Sequence, residues 1–220
     1  MKKSLIILLS MLACAASFGQ GTVQFGNRNG ETITHIWWSP SYYPSPTGPG
    51  INDTPPGTTD YAAAGYSLIG ASGLNGTFGA ATTLAQLLAA NGANQPENSL
   101  LPVGETTSFR TGQAAGNLVT ITTTLSGIPK DSPVATFEVV VWDNSSGLYL
   151  TWNQASVAWL QGLILAGKSG TFNVENIGGD LHPIAPVTPI PTFAIGIPEP
   201  STVALAILGC GALAILRRRK

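Results

Sequence analysis

Asn-Gly occurs three times in this chain, at 29–30, 75–76 and 91–92. The dipeptide suits the two-residue turns that close β-hairpins, because both residues tolerate the positive φ such turns demand. The first case is the cleanest, with alternating runs at 22–28 and 31–38 on either side. A two-residue loop there sets Arg28 opposite Glu31 and puts Val23, Phe25, Ile36 and Trp38 on one face.

The same alternation recurs further on. Residues 118–125 place Val119, Ile121 and Leu125 on one side and Thr120, Thr122 and Thr124 on the other. Residues 134–143 put Ala135, Phe137, Val139 and Val141 inward and Glu138 outward, with 127–133 as the turn between two antiparallel strands. Residues 171–174 read as a short closing strand. The stretch TTLAQLLAA at 82–90 has helix-forming residues, but in a chain of strands and turns it reads as strand. Residues 152–166 read as a helix, with Trp152, Val157, Trp159, Leu160, Leu163 and Ile164 on one broad face and Gly167 and Lys168 at its end. Residues 39–60 carry six prolines and form a long loop or flap; residues 180–197 carry four more and one charge, Asp180. The pattern as a whole predicts a mainly all-β fold, an antiparallel β-sandwich or related barrel with one short helix.

Both ends of the chain read as addresses. Lys2 and Lys3 precede an apolar stretch at 5–16 broken by Ser10, and small residues follow. That is the plan of a secretory signal peptide, assigned to residues 1–19, with cleavage after Ser17 or Gly19. Met-Leu-Ala-Cys14 leaves a lipoprotein signal as the competing reading. At the other end, residues 203–216 hold no charge and Arg217, Arg218, Arg219 and Lys220 follow. As a helix those fourteen residues measure about 21 Å, against a hydrocarbon core of roughly 30 Å. They fit a bilayer when the four cations snorkel to its cytoplasmic face and the bilayer thins.

Ile197-Pro198-Glu199-Pro200-Ser201, the short apolar stretch and the basic end together resemble a PEP-CTERM sorting signal. Isoleucine stands where that family more often has valine. The resemblance covers about a tenth of the chain. It implies an exported precursor, held transiently in the inner membrane until an exosortase-type enzyme processes it near Pro198, Glu199 and Pro200, in bacteria that make exopolysaccharide. Residues 20–178 would then be the secreted β-domain, 179–197 a proline-rich spacer and 198–220 the sorting signal. Phe109-Arg110-Thr111-Gly112, Val141-Trp142-Asp143 and Gly167-Lys168-Ser169 also resemble the soluble domain of some PEP-CTERM proteins of unassigned function, which implies a β-rich fold and no chemistry.

Removing both ends takes Cys14 and Cys210 with them, so stability rests on packing rather than on disulfides. Arg28, Arg110, Lys130 and Lys168 remain against ten carboxylates, a net charge of about −6. That balance excludes nucleic acid as a partner, since phosphate binding needs a positive footprint. No metal site or cofactor is expected: no His/Cys/carboxylate cluster has ligand spacing. Gly70-Ala-Ser-Gly73 lacks the spacing of a nucleophile elbow. Glu138 and Asp143, an odd number of positions apart, point to opposite faces of one strand. His35 and His182 read as structural or solvent-facing, and Asp143-Asn-Ser-Ser-Gly147 as a loop whose side chains serve its own backbone rather than calcium. These readings point to a non-enzymatic surface or matrix protein. The alternative is a carbohydrate-binding module for exopolysaccharide, with Trp37, Trp38, Tyr42 and Tyr43 as the residues that stack on sugar rings.

Overall fold

A computed structural model describes residues 19–38, 53, 60–71 and 78–198. Residues 1–18 of the expected signal peptide, Tyr42, Tyr43, the second Asn-Gly and the tail from Glu199 onward lie outside the described residues. Thirteen strands and one α-helix make the described part mainly β, as expected for its class. Among the described residues no helix is long and apolar enough to cross a membrane.

In chain order the strands are β1 (Gln20–Phe25), β2 (Arg28–Asn29), β3 (Thr32–Ile33), β4 (Ile36–Trp38), β5 (Ser67–Leu68), β6 (Thr83–Asn91), β7 (Leu101–Thr107), β8 (Ile121–Pro129), β9 (Val134–Asp143), β10 (Ala166–Lys168), β11 (Phe172–Glu175), β12 (Ala185–Pro186) and β13 (Phe193–Ile195); the helix α1 is Trp152–Leu160. The largest sheet runs β10-β9-β6-β7, with β11 also paired to β9. A second runs β12-β1-β8 and a third β13-β4-β5. Val23 and Phe25 of β1, Ile36 of β4, Leu87 of β6, Leu125 of β8, Phe137 and Val139 of β9 and Phe193 of β13 share one core, so the three sheets close around it.

The stretch 82–90 is strand β6, despite its helix-forming composition. Its Ala85, Leu87 and Leu88 are buried on both faces of the sheet, where packing outweighs propensity. Val23, Phe25 and Ile36 face the core as expected, but not through one long hairpin. Arg28 pairs Ile33 and Asn29 pairs Thr32, so the loop is Gly30-Glu31 and Arg28 does not face Glu31. Gly30 has φ 57° while Glu31 is not left-handed, which places the glycine where a II′ turn needs it. After two residues the strands part: β1 pairs β8, and β4 pairs β5 and β13. The third Asn-Gly closes no two-residue turn; β6 reaches β7 through residues 92–100, including a 3₁₀ turn at Glu97–Ser99.

The expected pairing of 118–125 with 134–143 is also overturned. Strand β8 runs on to Pro129 and lies in the sheet of β1, while β9 pairs β6, β10 and β11. Asp131, left-handed at φ 56°, turns the chain from one sheet to the next. Val119 precedes β8 and is exposed, whereas Thr123 takes an inward position beside Leu125. Nor is the fold purely antiparallel. The segment expected as a spacer at 179–197 returns beside the N-terminal strands, with β12 parallel to β1 and β13 parallel to β4. Val187, Ile190, Thr192 and Phe193 have no exposed surface. Its prolines do keep it extended, and Pro186 sits on an edge strand where its missing N–H costs no ladder bond.

The helix is shorter than expected. Gly162, at φ 70°, ends it in a Schellman arrangement: Gly162 N donates to Trp159 O at 2.8 Å and Leu163 N to Ala158 O at 2.9 Å. The chain beyond is therefore free to form β10. Its buried face is Trp152, Ala155 and Ala158, while Val157 and Leu160, expected inward, are exposed.

Candidate functional site

The end of the domain and the start of the tail meet at one place. Strand β13 is buried through Ile195, and Gly196 is then held from two sides. Its backbone exchanges hydrogen bonds with Ala166 at 2.9 and 3.1 Å, and its carbonyl accepts from Trp159 Nε1 at 2.7 Å. Trp159 reaches it because α1 is fixed at its other end. Thr151 and Gln154 form a reciprocal capping box, and Gln86 Oε1 accepts from Trp152 N at 3.3 Å. The described part thus ends beside the C-terminal end of α1, and Pro198 is only three residues beyond Ile195, the last buried side chain of β13.

Residues 196–220 match the model of the PEP-CTERM protein-sorting motif. The chain carries that sorting signal. It supports export and processing through an exosortase-type pathway, with sorting at a membrane before delivery to the surface. No curated protein and no solved structure matches the chain. Of the PEP-CTERM residues, Pro198 is within the described residues; Glu199, Pro200, Arg217, Arg218, Arg219 and Lys220 are not.

The aromatic residues form a second cluster. Trp37 and Trp38 alternate along β4 and take different partners. Trp37 stacks on Tyr61 at 5.4 Å between ring centroids and 12° between planes, and His35 meets its edge at 6.3 Å. Trp38 stacks on Phe78 at 4.1 Å and 9° and packs against the core. Tyr61 is fully buried, and its hydroxyl is pushed up to about 12 by burial and by the negative charge of Asp53.

His35 lies just before β4 rather than mid-strand, with its Nδ1 paired to Asp53 Oδ1. Asp53 also accepts from His35 N at 3.2 Å and from the Thr192 hydroxyl. A hydrolytic relay needs the hydroxyl on the imidazole and the carboxylate behind it. Here the hydroxyl sits on the carboxylate, an order that ties residue 53 to β4 and to the C-terminal segment.

Two charged features escaped the sequence reading. Arg28 and Arg110, two of the domain's four cations, line one shallow cleft with Asn117 and Thr120. Only the topology brings them together, because β2 and the segment before β8 are distant in sequence. Glu138 points outward as expected, yet it is only 1% exposed. The outer face of β9 is roofed by α1 and Leu100, which pack with Val140 and Trp142. Neither carboxylate oxygen has a hydrogen-bond partner among the described residues. Burial pushes this carboxyl up to about 7, against a smaller opposing effect of Lys168. Asp143 does serve its own loop, accepting from Ser145 N at 3.1 Å and Ser145 Oγ at 3.0 Å.

Proposed function

We propose that this chain is the precursor of a non-enzymatic β-protein of the cell surface or extracellular matrix. Residues 203–216 hold it in the inner membrane, with Arg217, Arg218, Arg219 and Lys220 on the cytoplasmic side. An exosortase-type enzyme then cuts near Pro198, Glu199 and Pro200 and releases the domain. The sorting motif at 196–220, starting where the last core strand ends, carries this reading. On this reading the enzyme acts on the few residues between the packed domain and the bilayer. The test is to replace Arg217 to Lys220 with neutral residues in the native host, then fractionate membrane and medium and weigh the intact protein. Loss of membrane retention and of the processed species is the expected result. Retention and cleavage like wild type would sink the proposal.

The carbohydrate-binding alternative draws less support from the geometry. Trp37 and Trp38 face opposite sides of β4, so they do not make one flat platform, and one face of each ring is stacked on Tyr61 or Phe78.

A further inference from the structure

Nine large hydrophobic side chains are exposed among the described residues, and five lie in one segment of sixteen: Leu148, Leu150, Val157, Leu160 and Leu163, each 55–74% exposed. The segment also carries no charge, since from Asn144 to Gly167 there is no Asp, Glu, Lys or Arg. Its polarity comes only from neutral groups, among them Thr151, Asn153, Gln154, Ser156 and Gln161 around α1. Val157 and Leu160, three apart, share the outer face of α1, with Leu150 before its start and Leu163 beyond its end. A patch of exposed aliphatics of this kind on a monomer marks a surface made to be covered.

The position of the chain's exit says what covers it. Gly196 is bonded to Trp159 of α1, and Ile197 reaches within 3.8 Å of where a Cβ on Gly162 would stand. From Pro198 to Val203, the first residue of the uncharged run, there are five steps of chain. Fully extended they reach about 17 Å. A domain on so short a tether can turn only the surface around the exit toward the bilayer, and that surface is the leucine-bearing one, with the Lys168–Glu97 ion pair beside Trp152. The fourteen-residue run is also short for a bilayer, which draws the exit down toward the interface. The acidic remainder of the domain would be repelled by anionic headgroups; this face would not. Half-buried Trp159 and Tyr149 beside it belong to the residue types that favour the headgroup level.

We infer that α1 and its flanking leucines form a bilayer-contacting face, which seats the precursor on the lipid surface and presents residues 196–200 to the processing enzyme at a fixed height. This rests on the membrane-retention reading above.

The test uses the full chain with Cys14→Ser and Cys210→Ala and one added cysteine carrying an environment-sensitive fluorophore. The cysteine is placed at Leu160 or, as a control, at Leu181. Leu181 is 83% exposed and bonds Asp131 near the opposite end of β9. The protein is reconstituted into phosphatidylethanolamine–phosphatidylglycerol vesicles bearing a spin label at shallow depth, and floated on a density gradient. The expected result is co-flotation, with the Leu160→Cys probe blue-shifted and quenched by the spin-labelled lipid several-fold more than the Leu181→Cys probe. Leu163→Cys replaces Leu160→Cys if the latter melts below the parent. Co-flotation with equal quenching at both positions overturns the inference and leaves the anchor standing. A probe at 160 shielded from iodide yet unquenched by lipid overturns it too, showing that protein covers the face. Failure to float removes the anchor, and this inference with it.

Discussion

The two faces of strand β9 are buried to the same degree by different means. Inward, Ala135, Phe137, Val139 and Val141 are fully buried against apolar side chains from the other sheets. Outward, Thr136, Glu138, Val140 and Trp142 are at most 1% exposed, covered by α1 and the stretch around Leu100. The inner face is uniformly apolar. The outer one mixes groups with very different needs. Thr136 Oγ1 accepts from Gln95 N at 3.0 Å and lies 2.8 Å from Gly92 O, and Trp142 Nε1 donates to Tyr149 O at 2.7 Å. Glu138 has nothing. Period-two alternation says which residues share a face; it does not say whether the far face is wet.

The largest expected effect is on the inner face. Phe137→Asp places an unpaired charge in the core that Phe137 shares with Val23, Leu87 and Leu125, far from water. That costs several kcal/mol, comparable with a typical total stability of about 5–15 kcal/mol. The variant should lose cooperative unfolding and its near-ultraviolet circular dichroism. A soluble variant melting near wild type would mean that the two faces have been assigned the wrong way round.

The outer face already contains the group that such a substitution would introduce, so its penalty can be read by titration. Glu138 has a folded value raised from 4.5 to about 7. The folded state therefore holds its proton more tightly than the unfolded chain does. Its contribution is fully present below pH 4.5 and is lost as pH rises through about 7, for a total of about 3 kcal/mol. Urea unfolding at pH 5 and pH 8 should show wild type less stable at the higher pH. Glu138→Gln, which cannot ionise, should flatten that dependence and exceed wild type at pH 8. Equal slopes for the two proteins would place Glu138 in water and dissolve the contrast between the faces.

Much of this was legible from residue order. Val23, Phe25, Ile36, Phe137 and Val139 announced themselves by alternation, and β6 by the strands around it. The sorting tail was legible because its three parts occur together and in order. Partner choice was not, because alternation in 118–125 and 134–143 is the same whether the two strands pair with each other or, as found, lie in different sheets. The prolines of 180–197 correctly marked extended chain, but an extended segment can pair at a sheet edge as readily as it can span a gap. The helix misled for a related reason. Its two alanines, Ala155 and Ala158, make the buried face because small side chains let α1 approach the sheet, while bulkier Val157 and Leu160 stand outside. The aromatic pair was half legible. Opposite orientations follow from adjacency, but the stacking partners Tyr61 and Phe78 are distant in sequence.

The smallest effect tests whether the roof, rather than the strand, makes the outer face dry. Thr151 caps α1, its side chain accepting from Gln154 N while Gln154 Oε1 accepts from Thr151 N at 3.2 Å. Thr151→Ala removes the first of these bonds and leaves the sheet untouched. The cost should be about 1 kcal/mol, the usual figure for losing such a cap. Its direction with pH is the informative part. A helix that frays at its first turn, where Trp152 packs on Trp142 at 5.9 Å between rings, admits water to the outer face. Glu138 then ionises at less cost, so its value falls back from about 7 toward the ordinary range and the stability lost between pH 5 and pH 8 shrinks. Thr151→Ala should thus be more destabilising at pH 5 than at pH 8, whereas a simple loss of helix stability would cost the same at both. The double variant with Glu138→Gln separates the two effects: there the cap should cost the same at either pH. An equal cost in the wild-type background as well would mean that α1 does not control the water around Glu138, and that the outer face is kept dry by the neighbouring strands.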